Sequence, residues 1–175
     1  FPVSVNQLRQ MKEQGITLAI IRISPEAYSG TQAQIYALHE SGLEMEGYIY
    51  LPLDKPLSNF RSYLDTALFL CLDMVDRVWL DCEEDGRDVI ARIHEAVERF
   101  REFEVGIYTR RNWWETYIDD PENFSYLPLW DADYDDVPDL EDFTPYGGWT
   151  KRFGKQYAGN QPFCGTTVDF NVFAA

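Results

Sequence analysis

Arg77-Val78-Trp79-Leu80-Asp81-Cys82-Glu83-Glu84-Asp85 is an apolar run that climbs into a carboxylate, skips one residue and reaches a second. Successive side chains on a strand alternate between faces, so Asp81 and Glu83 are expected to point the same way and Glu84 the other. Two acids at the end of a buried strand are costly unless a site uses them. Hydrolysis of a glycosidic bond commonly uses such a pair, one as general acid and one as its partner. The competing reading is a strand end that runs into a charged helix cap, with both acids solvated.

Similar strand runs lie on both sides. Leu18–Ile23, Glu46–Leu51, Val78–Glu83, Val105–Thr109, Leu127–Tyr134, Lys155–Ala158 and Thr167–Phe173 make seven in all. Helical spacing is expected near residues 4–14, near 31–41, and from Tyr63 through Leu72. It is clearest over Asp88–Phe103, where Val89, Ile90, Ile93, Val97 and Phe100 share one face. Asp85 or Asp88 is placed to cap that helix. Alternating strands and helices predict parallel strands and an α/β layout. Beyond residue 120 the helical patterns fade, and Pro121, Pro128, Pro138, Pro145 and Gly147-Gly148 mark loops.

Length and composition set the outer bounds. A chain of 175 residues with 45% hydrophobic content is expected to fold as one domain over residues 1–175 around a substantial core. Its formal charge of −15 argues against nucleic acid and against an anionic membrane surface, both of which select clustered Lys and Arg. No apolar run reaches transmembrane length. Aromatic residues reach 15%, more than packing requires, and aromatic rings are what sugar faces stack on. The three cysteines, Cys71, Cys82 and Cys164, have no metal-ligand spacing. Their number leaves room for one disulfide, but Cys71 and Cys82 sit in apolar patterns that suit buried thiols. His39 and His94 lie on helix faces and read as surface or packing residues. No metal and no cofactor is expected.

Several segments, in order, resemble glycoside hydrolase family 25, the Chalaropsis-type lysozymes. Gly15-Ile16-Thr17-Leu18-Ala19-Ile20-Ile21-Arg22 is similar to the family's stretch ending F-V-I-I-R-A. Ser41-Gly42-Leu43 with Gly47-Tyr48-Ile49-Tyr50 is similar to A-G-L…G-x-Y-H-F, and Leu80-Asp81-Cys82-Glu83 to L-D-x-E. Gly106-Ile107-Tyr108-Thr109 resembles the fifth family strand, and Leu129-Trp130-Asp131-Ala132-Asp133-Tyr134 resembles L-W-x-A-x-Y. Gln156-Tyr157 and Val168-Asp169-Phe170-Asn171 resemble the closing W-Q-Y and V-D-x-N strands. Together these segments cover nearly the whole chain.

The resemblance implies an irregular, TIM-like (β/α)5β3 barrel. It also implies a muramidase that cleaves the β-1,4 bond between N-acetylmuramic acid and N-acetylglucosamine in bacterial peptidoglycan, with help from the substrate's acetamido group. Glu83 would be the general acid. Asp81 would stay ionised and orient or polarise the acetamido group, and Asp169 would line the catalytic end. Tyr48, Tyr50, Tyr108, Trp130 and Tyr134 would shape the sugar groove, with Trp113, Trp114 and Trp149 at its rim. An extracellular or virion-associated setting would fit such a substrate.

The front of the chain departs from the family. Members open with a strand carrying D-x-S, whereas this sequence begins Phe1-Pro2-Val3-Ser4-Val5 and holds no Asp before Asp54. The family's third-strand His reads Ile49. The first strand is therefore expected to be missing from this sequence and to be supplied by a further segment or another chain. The alternative is a catalytically silent relative that serves as a glycan-binding or structural module of a cell surface or virus particle.

Overall fold

The computed structural model describes residues 3–72, 75–118 and 124–174. Phe1, Pro2 and the loop marker Pro121 lie outside the described residues. The seven expected strands are all present: β1 (Leu18–Arg22), β2 (Glu44–Tyr50), β3 (Arg77–Asp81), β4 (Glu104–Thr109), β5 (Leu129–Ala132), β6 (Gly154–Phe163) and β7 (Thr166–Phe173). They form one sheet in sequence order. β1 through β6 are parallel, and β7 returns antiparallel against β6.

Helices join the early strands: α1 (Val5–Glu13), α2 (Tyr28–Ser41), α3 (Leu57–Cys71), α4 (Val89–Arg99) and α5 (Arg111–Tyr117). After β5 the connections are a loop and a hairpin, so helices fade where the sequence says they should. α1 opens with a capping box: Ser4 Oγ accepts from Gln7 N at 3.3 Å, and Gln7 Oε1 accepts from Ser4 N at 3.0 Å. α4 has no such cap. Asp88 stands at its N-cap with φ of 52°, and its side chain makes no capping hydrogen bond, contrary to the sequence expectation.

The sheet is curled. Trp79 on β3 and Phe173 on β7 have ring centroids 5.8 Å apart. On a flat sheet, strands four places apart would stand roughly 19 Å from each other. Outward-facing side chains such as Ile49, Leu80 and Ile107 pack against Ile35, Phe60, Leu64, Ile93 and Phe100 of the helices. Trp113, Trp114 and Trp149 are buried in this outer core, with Trp114 and Trp149 centroids 4.7 Å apart. They do not rim a groove: the short helix α5 turns Trp113 and Trp114 inward, and Trp149 packs on Trp114 and donates Nε1–H to Leu127 O at 2.8 Å.

The inner face is filled by large rings facing glycines. Trp79, Tyr108 and Trp130 form its core, with Ile20, Tyr48, Phe153 and Phe173 packed around them. Trp79 is fully buried and donates Nε1–H to Glu46 Oε2 at 2.6 Å. Its cross-strand neighbour on β4 is Gly106, where a Cβ would lie 2.4 Å from the indole. Gly154 leaves the same kind of room for Phe173, at 2.2 Å. Gly106→Ala is therefore expected to destabilise the fold by about 1–3 kcal/mol through overpacking, read as a lower urea midpoint.

The sheet does not close. β1 and β7 stand at its two ends and are not hydrogen-bonded to each other. α1 spans the outside of this opening: Leu8 and Met11 pack in a cluster that Ala19 and Ile21 of β1 join, together with Phe163, Cys164 and Val168 of the β6–β7 hairpin. Gln7 Nε2 donates to Cys164 O at 3.3 Å and to Gly165 O at 3.1 Å.

Candidate active site

The parallel strands deliver their C-terminal ends to one mouth of the curled sheet. Register sets Tyr50 of β2 and Tyr108 of β4 on either side of Asp81, the last residue of β3. The strand ends there and does not run on to residue 83 as the sequence pattern suggested. Cys82 is still pinned, its N–H bonded to Tyr108 O at 2.9 Å and its carbonyl accepting from Thr109 Oγ1 at 2.7 Å. Glu83 and Glu84 follow as half-buried residues.

Asp81 is almost wholly buried, and its Oδ1 has no hydrogen-bond partner among the described residues. Burial, then the neighbouring Glu83, push its carboxyl well above the usual carboxylate range, against the pull of Arg22. Burial also raises Glu83, while Arg110 and the neighbouring Asp81 hold it back. Asp81 and Glu83 thus interact directly and titrate as a pair. Of the two, the deeper acid is the better holder of a shared proton, whereas the sequence reading kept Asp81 ionised.

Glu84 is not simply solvated. Tyr50 donates its hydroxyl to Glu84 Oε2 at 2.5 Å. Burial, reinforced by Glu84, pushes the Tyr50 phenol up, and burial with Asp81 raises that of Tyr48 to about 12. Ile49 points into the outer core and is fully buried, so the position of this strand that faces the acids is Tyr50.

Tyr108 donates to Gln156 Oε1 at 2.7 Å, and the exposed Tyr134 donates to the same oxygen. The two phenol oxygens are 3.3 Å apart. Trp130 lies beneath, buried against Tyr108 with centroids 4.5 Å apart, and bonds Asn171 Oδ1 at 3.0 Å. It forms the floor of the mouth and not its wall. Asp169 on β7 is exposed and accepts from Asn160 N at 2.7 Å; its charge acts on Tyr48 and Tyr134.

The structure thus brings together Asp81, Glu83, Tyr48, Tyr50, Tyr108 and Tyr134, sets Trp130 below them and has the exposed Asp169 near Tyr134, at the edge of the mouth. The sequence reading did not single out Arg22, Arg110 or Gln156 as site residues. Arg22 ends β1 with its guanidinium carbon 5.2 Å from the Tyr50 ring centroid. A charge closing an apolar strand run was the available signal, the same one that marks Asp81. Cys71, Cys82 and Cys164 are free thiols.

Behind the mouth, Asp133, Asp135 and Asp142 bring carboxylate oxygens within 4.8 Å of one another. Lys155 Nζ already occupies that space, 2.6 Å from Asp135, 3.0 Å from Asp142 and 3.7 Å from Asp133. A lysine therefore supplies there the positive charge that a metal ion would otherwise bring.

Comparison with known proteins identifies the family and the fold. The chain is 32% identical over 115 residues to probable GH family 25 lysozyme 5 of Dictyostelium discoideum, covering 65% of this chain and 53% of that protein. It therefore spans about half the length of that relative. It is 27% identical over 186 residues to lysozyme-like protein 5 of Caenorhabditis elegans, covering 97% and 86% of the two chains. Its fold matches the catalytic domain of endolysin ply40 from bacteriophage P40 of Listeria monocytogenes with a TM-score of 0.76 at 17% identity, over 99% of this chain and 88% of that one. Residues 1–157 match the family described as Lysozyme-like protein 1, and the chain belongs to that family, with the glycoside hydrolase family 25-like barrel its strand motifs predicted.

Proposed function

We propose that this domain is a lysozyme-type glycoside hydrolase that cleaves the β-1,4 bond between N-acetylmuramic acid and N-acetylglucosamine in peptidoglycan. The observation that carries this reading is the interacting Asp81–Glu83 pair at a tyrosine-lined mouth. Glu83, the more exposed acid, protonates the leaving oxygen. The unpartnered Oδ1 of Asp81 accepts the acetamido N–H of the sugar. That hydrogen bond favours the ionised form of Asp81 and so moves the shared proton to Glu83 when substrate binds. The ionised Asp81 then orients the acetamido oxygen toward the anomeric carbon. Asp169 lines the edge near Tyr134, and Tyr48, Tyr50, Tyr108 and Tyr134 contact the sugars.

The opening between β1 and β7 takes one more strand in this reading, from a further segment of the polypeptide or from another chain. Two unpaired edges invite pairing, and α1 already covers the opening from outside. In a right-handed β-α-β unit, a strand placed before α1 would enter beside β1.

A second reading, a silent glycan-binding or structural module, draws on Ile49, which stands where the family's third-strand His is expected and is fully buried in the outer core. Reducing-sugar release from purified peptidoglycan by the full-length polypeptide, with mass analysis of the new reducing ends, decides between them. New muramic acid ends support the muramidase; binding with no release supports the second reading.

A further inference from the structure

The loop that carries Tyr134 is fastened from behind by two cations that are completely buried. Arg152 and Lys155 have side-chain exposures of 0%. Arg152 reaches Asp131 at 3.1 Å and Asp133 at 3.0 Å, pairs with Asp142, and donates to Asp139 O at 2.7 Å. Lys155 holds Asp135 and Asp142. We propose that this buried ion cluster is a positioning device that fixes Tyr134 over the Asp81–Glu83 pair and so sets the affinity of the mouth for sugar. The proposal rests on the reading of that mouth as a glycan site.

The argument comes from two neighbouring backbone segments read on their two faces. Asp133, Tyr134 and Asp135 run beside Lys155 and Gln156, with Asp133 N bonded to Gln156 O at 3.1 Å and Asp136 N to Tyr157 O at 3.0 Å. On the outer face, Asp133 and Asp135 meet Lys155. On the inner face, Tyr134 meets Gln156 and Tyr108. A shift of the outer contacts therefore shifts the inner one.

The turn itself does not favour this geometry. Asp136 has φ of 61°, a left-handed conformation that costs a non-glycine residue energy, though less for Asp than for most. Two buried cations are also a costly way to stabilise a loop, because apolar packing of equal volume commonly does as well. What the ion cluster adds is a single fixed geometry. It holds Tyr134, which is 58% exposed and has little packing of its own.

The test uses the full-length polypeptide labelled with 3-fluorotyrosine, with the Tyr134 resonance assigned by its loss in Tyr134→Phe. In Lys155→Met and in Asp142→Asn that resonance is expected to move toward the position of free fluorotyrosine. The signal of Tyr36, exposed on α2, is expected to stay. Affinity for an N-acetylglucosamine tetramer should fall about tenfold in each variant, but no more than about twofold when either change is added to Tyr134→Phe. Asp142→Asn carries the test if Lys155→Met does not fold. A Tyr134 resonance unmoved in the folded variants overturns the proposal, as does an affinity loss that adds in full to that of Tyr134→Phe. Failure of the parent protein to bind the tetramer counts against the glycan-site reading, while the resonance still decides whether the cluster positions Tyr134.

Discussion

Glu83→Gln is expected to lower reducing-sugar release from peptidoglycan by about 10²–10⁴-fold, with little change in binding of N-acetylglucosamine oligomers. Glutamine keeps the size of the side chain and its capacity to hydrogen-bond, but it has no proton to give the leaving oxygen. The effect should therefore fall on kcat and leave the affinity nearly intact. Stability should change little, because Glu83 is only half-buried and the burial that raises its pKa is partly offset by Arg110. Rates for the parent and variant, measured alongside tetramer binding, give the check. Equal, measurable rates for parent and variant would remove Glu83 from the chemistry, whereas no release by the parent above the variant's background would leave the glycan-binding reading in its place.

The fold was legible because its periodicities are strong and local. LAIIR, GYIY, VWLD and GIYT each read as apolar strands, and α4 carries its apolar face at clear helical spacing. Strand ends were less legible. Asp81 looks like the middle of a strand that continues to Glu83, yet β3 stops at Asp81 because Cys82 turns its carbonyl to Thr109 Oγ1. The acid pair could be named from the sequence, but its proton could not be placed. That depends on the burial of Asp81, produced by Tyr50 and Tyr108 in register on either side. Arg152, Lys155 and their aspartates were invisible as a unit. They combine residues from β5, the loop after it and β6, and nothing in local spacing says that two cations there are wholly buried. Trp113, Trp114 and Trp149 misled in the opposite direction, since loop-like surroundings concealed fully packed indoles.

Asp81→Asn should separate the cost of the site from its use. The folded protein raises the Asp81 pKa, so the native state binds this proton more tightly than the unfolded chain does. The stability this contributes is fully present below about pH 4, the ordinary value for an aspartate, and is lost as pH rises through the raised native value. Asparagine cannot ionise. The variant should therefore match the parent in stability at low pH and exceed it at neutral pH, by about 2–4 °C in thermal midpoint for each kcal/mol of relieved burial. Activity should move the other way, with kcat falling about 10²–10³-fold, because no negative charge is left to polarise the acetamido group. The parent should show a bell-shaped pH–rate profile: its acid limb marks protonation of the ionised partner, and its alkaline limb marks loss of the last proton of the pair. In the variant the acid limb should vanish and the alkaline limb remain. Thermal melts and pH–rate profiles of both proteins supply the measurements. A variant that keeps both limbs and a parent-like rate would show that Asp81 acts as a neutral hydrogen-bonding group, consistent with its burial and contrary to the charge assigned to it during turnover.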